Sequence, residues 1–139
     1  MRRVVVTGLG IVSSIGNNVE EVLASLQAGT SGIVASPEMT EHGFRSQIAG
    51  TLKLDVAEHV DKRTLRFMGQ AAAYAHIAMG QAIADAGLTE ADVVNERTGL
   101  VAGSGGPSTS AMLTAHQTVA KTGATKRIGP FAVPKCMSS

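Results

Sequence analysis

Five places in this 139-residue chain carry groups that chemistry could use. Gly8-Leu9-Gly10, after Val4-Val5-Val6, supplies the first two glycines of a dinucleotide-binding turn. That turn needs a third glycine three residues on, for close packing of helix on sheet, and position 13 is Ser. No strand ending in an acid follows about 20 residues later, so a tight strand-to-loop turn is the better reading. Gly103-Ser104-Gly105-Gly106-Pro107-Ser108 lies between a strand-like and a helix-like segment, where backbone amides can hold an anion. A Walker-type loop would continue into Gly-Lys-Ser/Thr, yet the next Lys is Lys121. This stretch reads as a structural turn or a pocket wall.

Cys136 is the one thiol. A nucleophilic Cys needs an activator such as a His or a helix N-terminus, and sequence offers only its neighbour Lys135, so it reads as a small packed residue. A single Cys also excludes an intrachain disulfide and a Cys-based zinc or iron–sulfur site. His42, His59, His76 and His116 show no metal-ligand spacing and read as surface or partly buried residues. Lys62, Arg63 and Arg66 form a basic cluster on one helical turn beside Phe67. They are either solvated surface or a dock for an acidic, phosphate-bearing partner.

Composition narrows the classes. Hydrophobic residues make up 44% and charged residues 17%, which is globular rather than disordered. Aromatics are only 3%, so the expected core is Ala, Val, Ile, Leu and Met, with Met68, Met79 and Met112 among its members. The lone Cys fits a reducing, cytoplasmic compartment. No apolar run approaches the ~18 residues of a membrane span, and glycines interrupt the N-terminal run where a signal helix would continue. The chain therefore reads as soluble, untargeted and without a membrane role. Charge is uneven beneath a net +1. Residues 1–96 carry seven Lys/Arg against eleven Asp/Glu, whereas residues 97–139 carry five Lys/Arg and no acid. This asymmetry reads either as a face suited to an acidic partner or as a solvated surface that happens to be basic. Nucleic acid is disfavoured, because no aromatics are interleaved with the cations.

The elements that must position these groups follow from periodicity and caps. The β-branched run in Arg3 to Thr7 predicts a short buried strand, and Thr98 to Ala102 a second. Asn17 or Asn18 caps a helix to about Ala28, closed by Gly29. Residues 30–54 look irregular apart from a strand near Gln47 to Leu52. Asp61 caps a turn holding Leu65, Phe67 and Met68. Gln70 to Ala86 is the strongest helix, with Ala71, Ala75, Ala78, Ala82 and Ala86 on one stripe and Gly87 at its end. Thr89 with Asp92 predicts a short capped turn. Pro107 and Ser108 start a helix to about Lys121 with Met112, Ala115 and Val119 as its apolar stripe, and Thr122 onward reads as loop. The order is that of an α/β protein.

Particular strings say more. Val6-Thr7-Gly8-Leu9-Gly10-Ile11-Val12-Ser13-Ser14-Ile15-Gly16 resembles the opening of the β-ketoacyl-[acyl-carrier-protein] synthases. Glu21 through Leu26 with Gly29 and Ser31-Gly32-Ile33 is similar to their first helix and its exit. Asp61 through Arg66-Phe67-Met68, Gln81 through Leu88, Gly99 through Gly106 and Gly129-Pro130-Phe131-Ala132-Val133 also match. The resemblance runs end to end and is nearest the elongating bacterial type I enzymes.

This resemblance implies a thiolase-like fold of layered α/β/α/β/α architecture, of which residues 1–139 form part of the N-terminal half. It implies a homodimer that performs a decarboxylative Claisen condensation on acyl-carrier-protein thioesters, without metal or other cofactor. The family's nucleophilic Cys and two His match positions downstream of Ser139, so no catalytic residue is expected in the chain and Cys136 is not the nucleophile. Gly106 and Met137 match positions lining the acyl pocket. Lys62, Arg63, Arg66 and Lys126 match positions that dock the acidic carrier protein. The alternatives are a non-catalytic module for carrier binding or dimerisation, a subunit of a polyketide-type condensing enzyme, and, last, a nucleotide-binding reductase.

Overall fold

The computed structural model describes residues 3–137. Its elements run α1 (Val19–Ala28), β1 (Ile33–Ala35), α2 (Pro37–Glu41), β2 (Ile48–Gly50), α3 (Val56–His59), α4 (Lys62–Leu65), α5 (Gln70–Asp85), α6 (Glu90–Val93) and α7 (Thr109–Thr122). A 3₁₀ turn (Thr125–Arg127) and α8 (Ala132–Cys136) follow. The chain forms two compact units: residues 3–54 with Ala78–Thr89, and Asp55–Ile77 with residues 90–137.

In the first unit the sequence signals act locally. The Asn18 side chain accepts from the Glu21 amide at 2.9 Å, while Glu21 Oε2 accepts from the Asn17 amide at 2.8 Å. This reciprocal cap satisfies two amides that would otherwise face only water. Gly29, at φ 64°, ends α1 in the left-handed conformation that L side chains resist. Ser36 caps α2, with Pro37 at its first position. β1 pairs antiparallel with β2, Ile33 opposite Gly50 and Ala35 opposite Ile48. β2 falls within the strand expected near Gln47 to Leu52. β1 lies in the stretch read as irregular, because three residues are too few to show a period.

The glycines at the start of the chain have a packing role. A Cβ on Gly8 would fall against the Ala82 carbonyl and 2.9 Å from the Ala86 Cβ. One on Gly10 would strike the Ala78 carbonyl and lie 2.8 Å from the Ala82 nitrogen. The segment therefore lies directly on α5, against the Ala78, Ala82 and Ala86 part of the predicted stripe. Ala71 and Ala75, which fall in the second unit, are exposed, and the buried residue there is Ala73.

In the second unit Asp61 caps α4, accepting from the Arg63 amide at 2.8 Å, and Ser108 caps α7. Gly69 is a close-contact point: a Cβ there would lie 2.8 Å from the Lys135 carbonyl and 3.1 Å from the Ser108 Cβ. The Ser108 amide also donates to the Cys136 carbonyl at 3.3 Å. The start of α5, the start of α7 and the end of α8 thus meet.

Several expectations need correction. Residues 3–7 and 98–102 form no strand, and Val4 and Val101 are 94% and 98% exposed. A β-branched run becomes a strand only when another backbone pairs with it, and no partner for either run lies among the described residues. The core is correspondingly thin: Val60 and Ala73 are the buried hydrophobic residues among those described. Met68 is half-buried, whereas Met79 and Met112 are exposed, so the inward side of α7 is carried by Ala111, Ala115, Thr118 and Val119. The stretch after Thr122 is not all loop. α8 accommodates Pro134 in its first turn, where the missing N–H has no intrahelical acceptor to lose.

Candidate functional site

The basic cluster stands on the second unit. Lys62 and Arg63 belong to α4, Arg66 is its C-cap residue, and Lys126 lies in the 3₁₀ turn; all four are exposed. A one-turn helix does not hold itself. The Asp61 cap fixes its start, and an aromatic contact fixes its end. The Phe67 ring meets the half-buried Phe131 ring edge-to-face, with centroids 4.9 Å apart and planes at 85°. The Arg66 guanidinium carbon lies 5.6 Å from the centroid of the same Phe131 ring, within cation–π range. Arg66 is thereby joined to the segment that leads away from Lys126. Phe131 is a residue that sequence reasoning did not single out, although it sits in the quoted Gly129-Pro130-Phe131 string.

Two concavities adjoin this region. A cleft of about 440 Å³ is lined by residues that include Met68, Gly69, Ala111, Thr114, Phe131 and Lys135. The Thr114 and Thr118 hydroxyls on its wall donate to the carbonyls four residues earlier, both at 2.8 Å. Their donor protons are spent within α7, which makes the wall less polar than its composition suggests. A smaller hollow of about 190 Å³ brings Gly106 and Met137 together with Gly69, Ser104 and Ser108. The Ser104 hydroxyl donates to the Gly106 carbonyl at 2.9 Å, which closes the glycine loop on itself.

No catalytic constellation emerges among the described residues. Cys136 is half-buried and closes α8 at its C-terminal end, whereas an activated thiol calls for a helix N-terminus or an imidazole. His42, His59, His76 and His116 are exposed, and no group of three His, Cys, Asp or Glu is placed to hold a metal among the described residues. Nor does any described helix have the length and apolarity to cross a membrane. The Gly8-Leu9-Gly10 turn that raised a dinucleotide reading is occupied by α5. The Leu9 amide donates to Asp85 and the Ile11 amide to Gln81, which uses two backbone donors a pyrophosphate would need. The region can therefore offer a positively charged surface, an aromatic support and two hollows, which is equipment for binding.

Residues 1–139 match the family model described as "Beta-ketoacyl synthase, N-terminal domain". Over its whole length the chain is 57% identical to 3-oxoacyl-[acyl-carrier-protein] synthase 1 of Haemophilus influenzae and 49% identical to that of Escherichia coli K12, covering 34% of each. The chain thus spans about a third of the length of these relatives. Among solved structures, a β-ketoacyl synthase from Burkholderia phymatum superposes with a TM-score of 0.80 at 27% identity, over 99% of this chain and 34% of that one. The ishigamide ketosynthase/chain length factor superposes with a TM-score of 0.78 at 30% identity, over 96% and 33%.

Proposed function

The chain belongs to the β-ketoacyl synthase family, and from that premise we propose that it forms the carrier-docking and acyl-lining portion of a fatty-acid-elongating condensing enzyme. The whole enzyme, on this reading, is a cytoplasmic homodimer of thiolase-like layered fold. An acyl group passes from its carrier thiol to an enzyme Cys as a thioester. Malonyl on the carrier protein loses CO2, the resulting carbanion attacks the thioester carbonyl, and the Cys thiolate leaves as the new carbon–carbon bond forms. The nucleophilic Cys, and the two His that stabilise the enolate, belong to parts of the enzyme outside residues 1–139.

The observation that carries the reading is the exposed basic set Lys62, Arg63, Arg66 and Lys126, the last within a stretch of five Lys/Arg and no acid. Such a surface steers and registers an acidic partner. Gly106 and Met137, facing one hollow, are then the contribution to the acyl site. A chain-length-factor type of subunit is the second reading, favoured by the likeness to the ketosynthase/chain length factor. The 57% identity to a synthase 1 supports the first.

The test is Arg63→Glu in the longest natural chain that carries these residues. The KM for an acyl-carrier-protein substrate should rise roughly tenfold, as like-charge contacts cost kilocalories at a docking face, while the KM for a carrier-free acyl thioester stays put. An unchanged KM for the carrier substrate would end the docking reading.

A further inference from the structure

We propose that Phe131 is a positioning residue for the basic surface: fixed edge-to-face against Phe67, its ring holds the Arg66 guanidinium where an acidic partner meets it. The inference rests on the docking reading above. Arg66 and Phe67 follow the last residue of α4, a four-residue helix whose geometry needs support from outside itself. Phe131 supplies that support to both neighbours at once, through the 4.9 Å ring–ring contact and the 5.6 Å cation–ring contact. The residue is itself anchored, its ring half-buried in the wall of the larger cleft and its backbone carbonyl, at the N-cap of α8, accepting from the Lys135 amide at 3.1 Å.

The type of contact matters. A carboxylate beside Arg66 would cancel its charge, whereas an aromatic ring orders the side chain and leaves the charge for a partner's carboxylate or phosphate. Ordering the side chain in advance also removes part of the entropy lost on docking. Among the described residues this is the one cation–ring contact, so Lys62 and Arg63 on the same turn have no such support. Arg66 is thereby the oriented member of the set, and Phe131 specifies where it points.

The experiment uses the longest natural chain carrying these residues, with a bacterial acyl carrier protein without an acyl group as the titrated probe. Phe131→Leu, which keeps apolar volume but removes the ring, should weaken binding three- to tenfold, while Phe131→Tyr, which keeps the ring, should bind as the parent does. In an Arg66→Ala background Phe131→Leu should have no further effect. Additive losses in that double variant would overturn the proposal, because they would mean that Phe131 does not act through Arg66. If Phe131→Leu fails to fold, Phe67→Leu loosens the same ring from outside the cleft and carries the same expectation. Parent-like binding by the variant lacking the ring, while Arg63→Glu still weakens binding, removes the positioning role and leaves the docking reading standing. Loss in neither removes both.

Discussion

The backbone amide of Leu9 donates to the carboxylate of Asp85 at 2.9 Å, joining residues 76 positions apart. One turn earlier on α5, Gln81 makes a related connection with both ends of its amide. Its oxygen accepts from the Ile11 amide at 3.0 Å, and its nitrogen donates to the Asn17 carbonyl at 2.7 Å. Residues 9–17 have almost no ladder of their own, so α5 supplies with side chains what a neighbouring strand would supply with backbone.

Gln81→Leu should therefore destabilise the protein, because half-buried Gln81 serves two backbone groups at once. The substitution keeps side-chain size but removes the amide, and leaves the half-buried Ile11 N–H and Asn17 carbonyl without that partner, at about 1–3 kcal/mol each. Urea unfolding followed by circular dichroism should show a loss of about 2 kcal/mol or more, and a loss under about 0.5 kcal/mol would mean that water replaces the amide at little cost.

Gly10→Ala and Gly80→Ala separate two uses of glycine. A Cβ at Gly10 meets the backbone of Ala78, which cannot move aside without bending α5. Overpacking of this kind costs about 1–3 kcal/mol or more. At Gly80, inside α5, a Cβ meets nothing within 4 Å. Alanine there should stabilise the protein by about 0.5–1 kcal/mol through helix propensity. Thermal melts of the two variants should shift in opposite directions; a shift of the same sign in both would refute the close-approach account of Gly10.

What was legible in the sequence was what is local. Asn18, Gly29, Asp61 and Ser108 mark helix ends because a cap is a relationship across two to four residues. The strands read at 3–7 and 98–102 were not realised, because Val4 to Val6 report a preference for β structure but not the presence of a partner. The Gly8-Leu9-Gly10 string was visible, yet its contact with Ala78 and Ala82 depends on the path of the chain between them. The site divides in the same way. Lys62, Arg63, Arg66 and Lys126 could be picked out by type and by resemblance, and Gly106 and Met137 come to one hollow. The Arg66–Phe131 contact could not be read, since it depends on where residues 67–130 take the chain.

Asn18→Ala should remove half of the reciprocal cap on α1. The Glu21 amide loses its acceptor at 2.9 Å, and the Glu21 carboxylate loses the Asn18 Nδ2 donor at 3.0 Å. N-cap truncations cost about 1 kcal/mol. Hydrogen exchange should speed up in the first turn of α1, at Glu20 to Val22, while α7 keeps its protection. Uniform acceleration across both helices would instead indicate global unfolding.

Gly106→Met tests the hollow that Gly106 and Met137 share. A Cβ at Gly106 meets nothing within 4 Å, so the backbone accepts the change and the new side chain has room to enter the hollow of about 190 Å³. If the hollow receives the acyl tail, each methylene it no longer admits forfeits about 0.8 kcal/mol of burial. In the longest natural chain carrying these residues, kcat/KM should fall with increasing acyl length, from little change on short chains to losses of tenfold or more on long ones. The KM for the carrier protein itself should not move, because the basic surface of α4 proposed to dock it is untouched. An equal loss at every chain length would assign the hollow to packing rather than to the acyl group. That result would leave the docking role proposed for Lys62, Arg63, Arg66 and Lys126 as the one substrate-binding role still proposed for this segment.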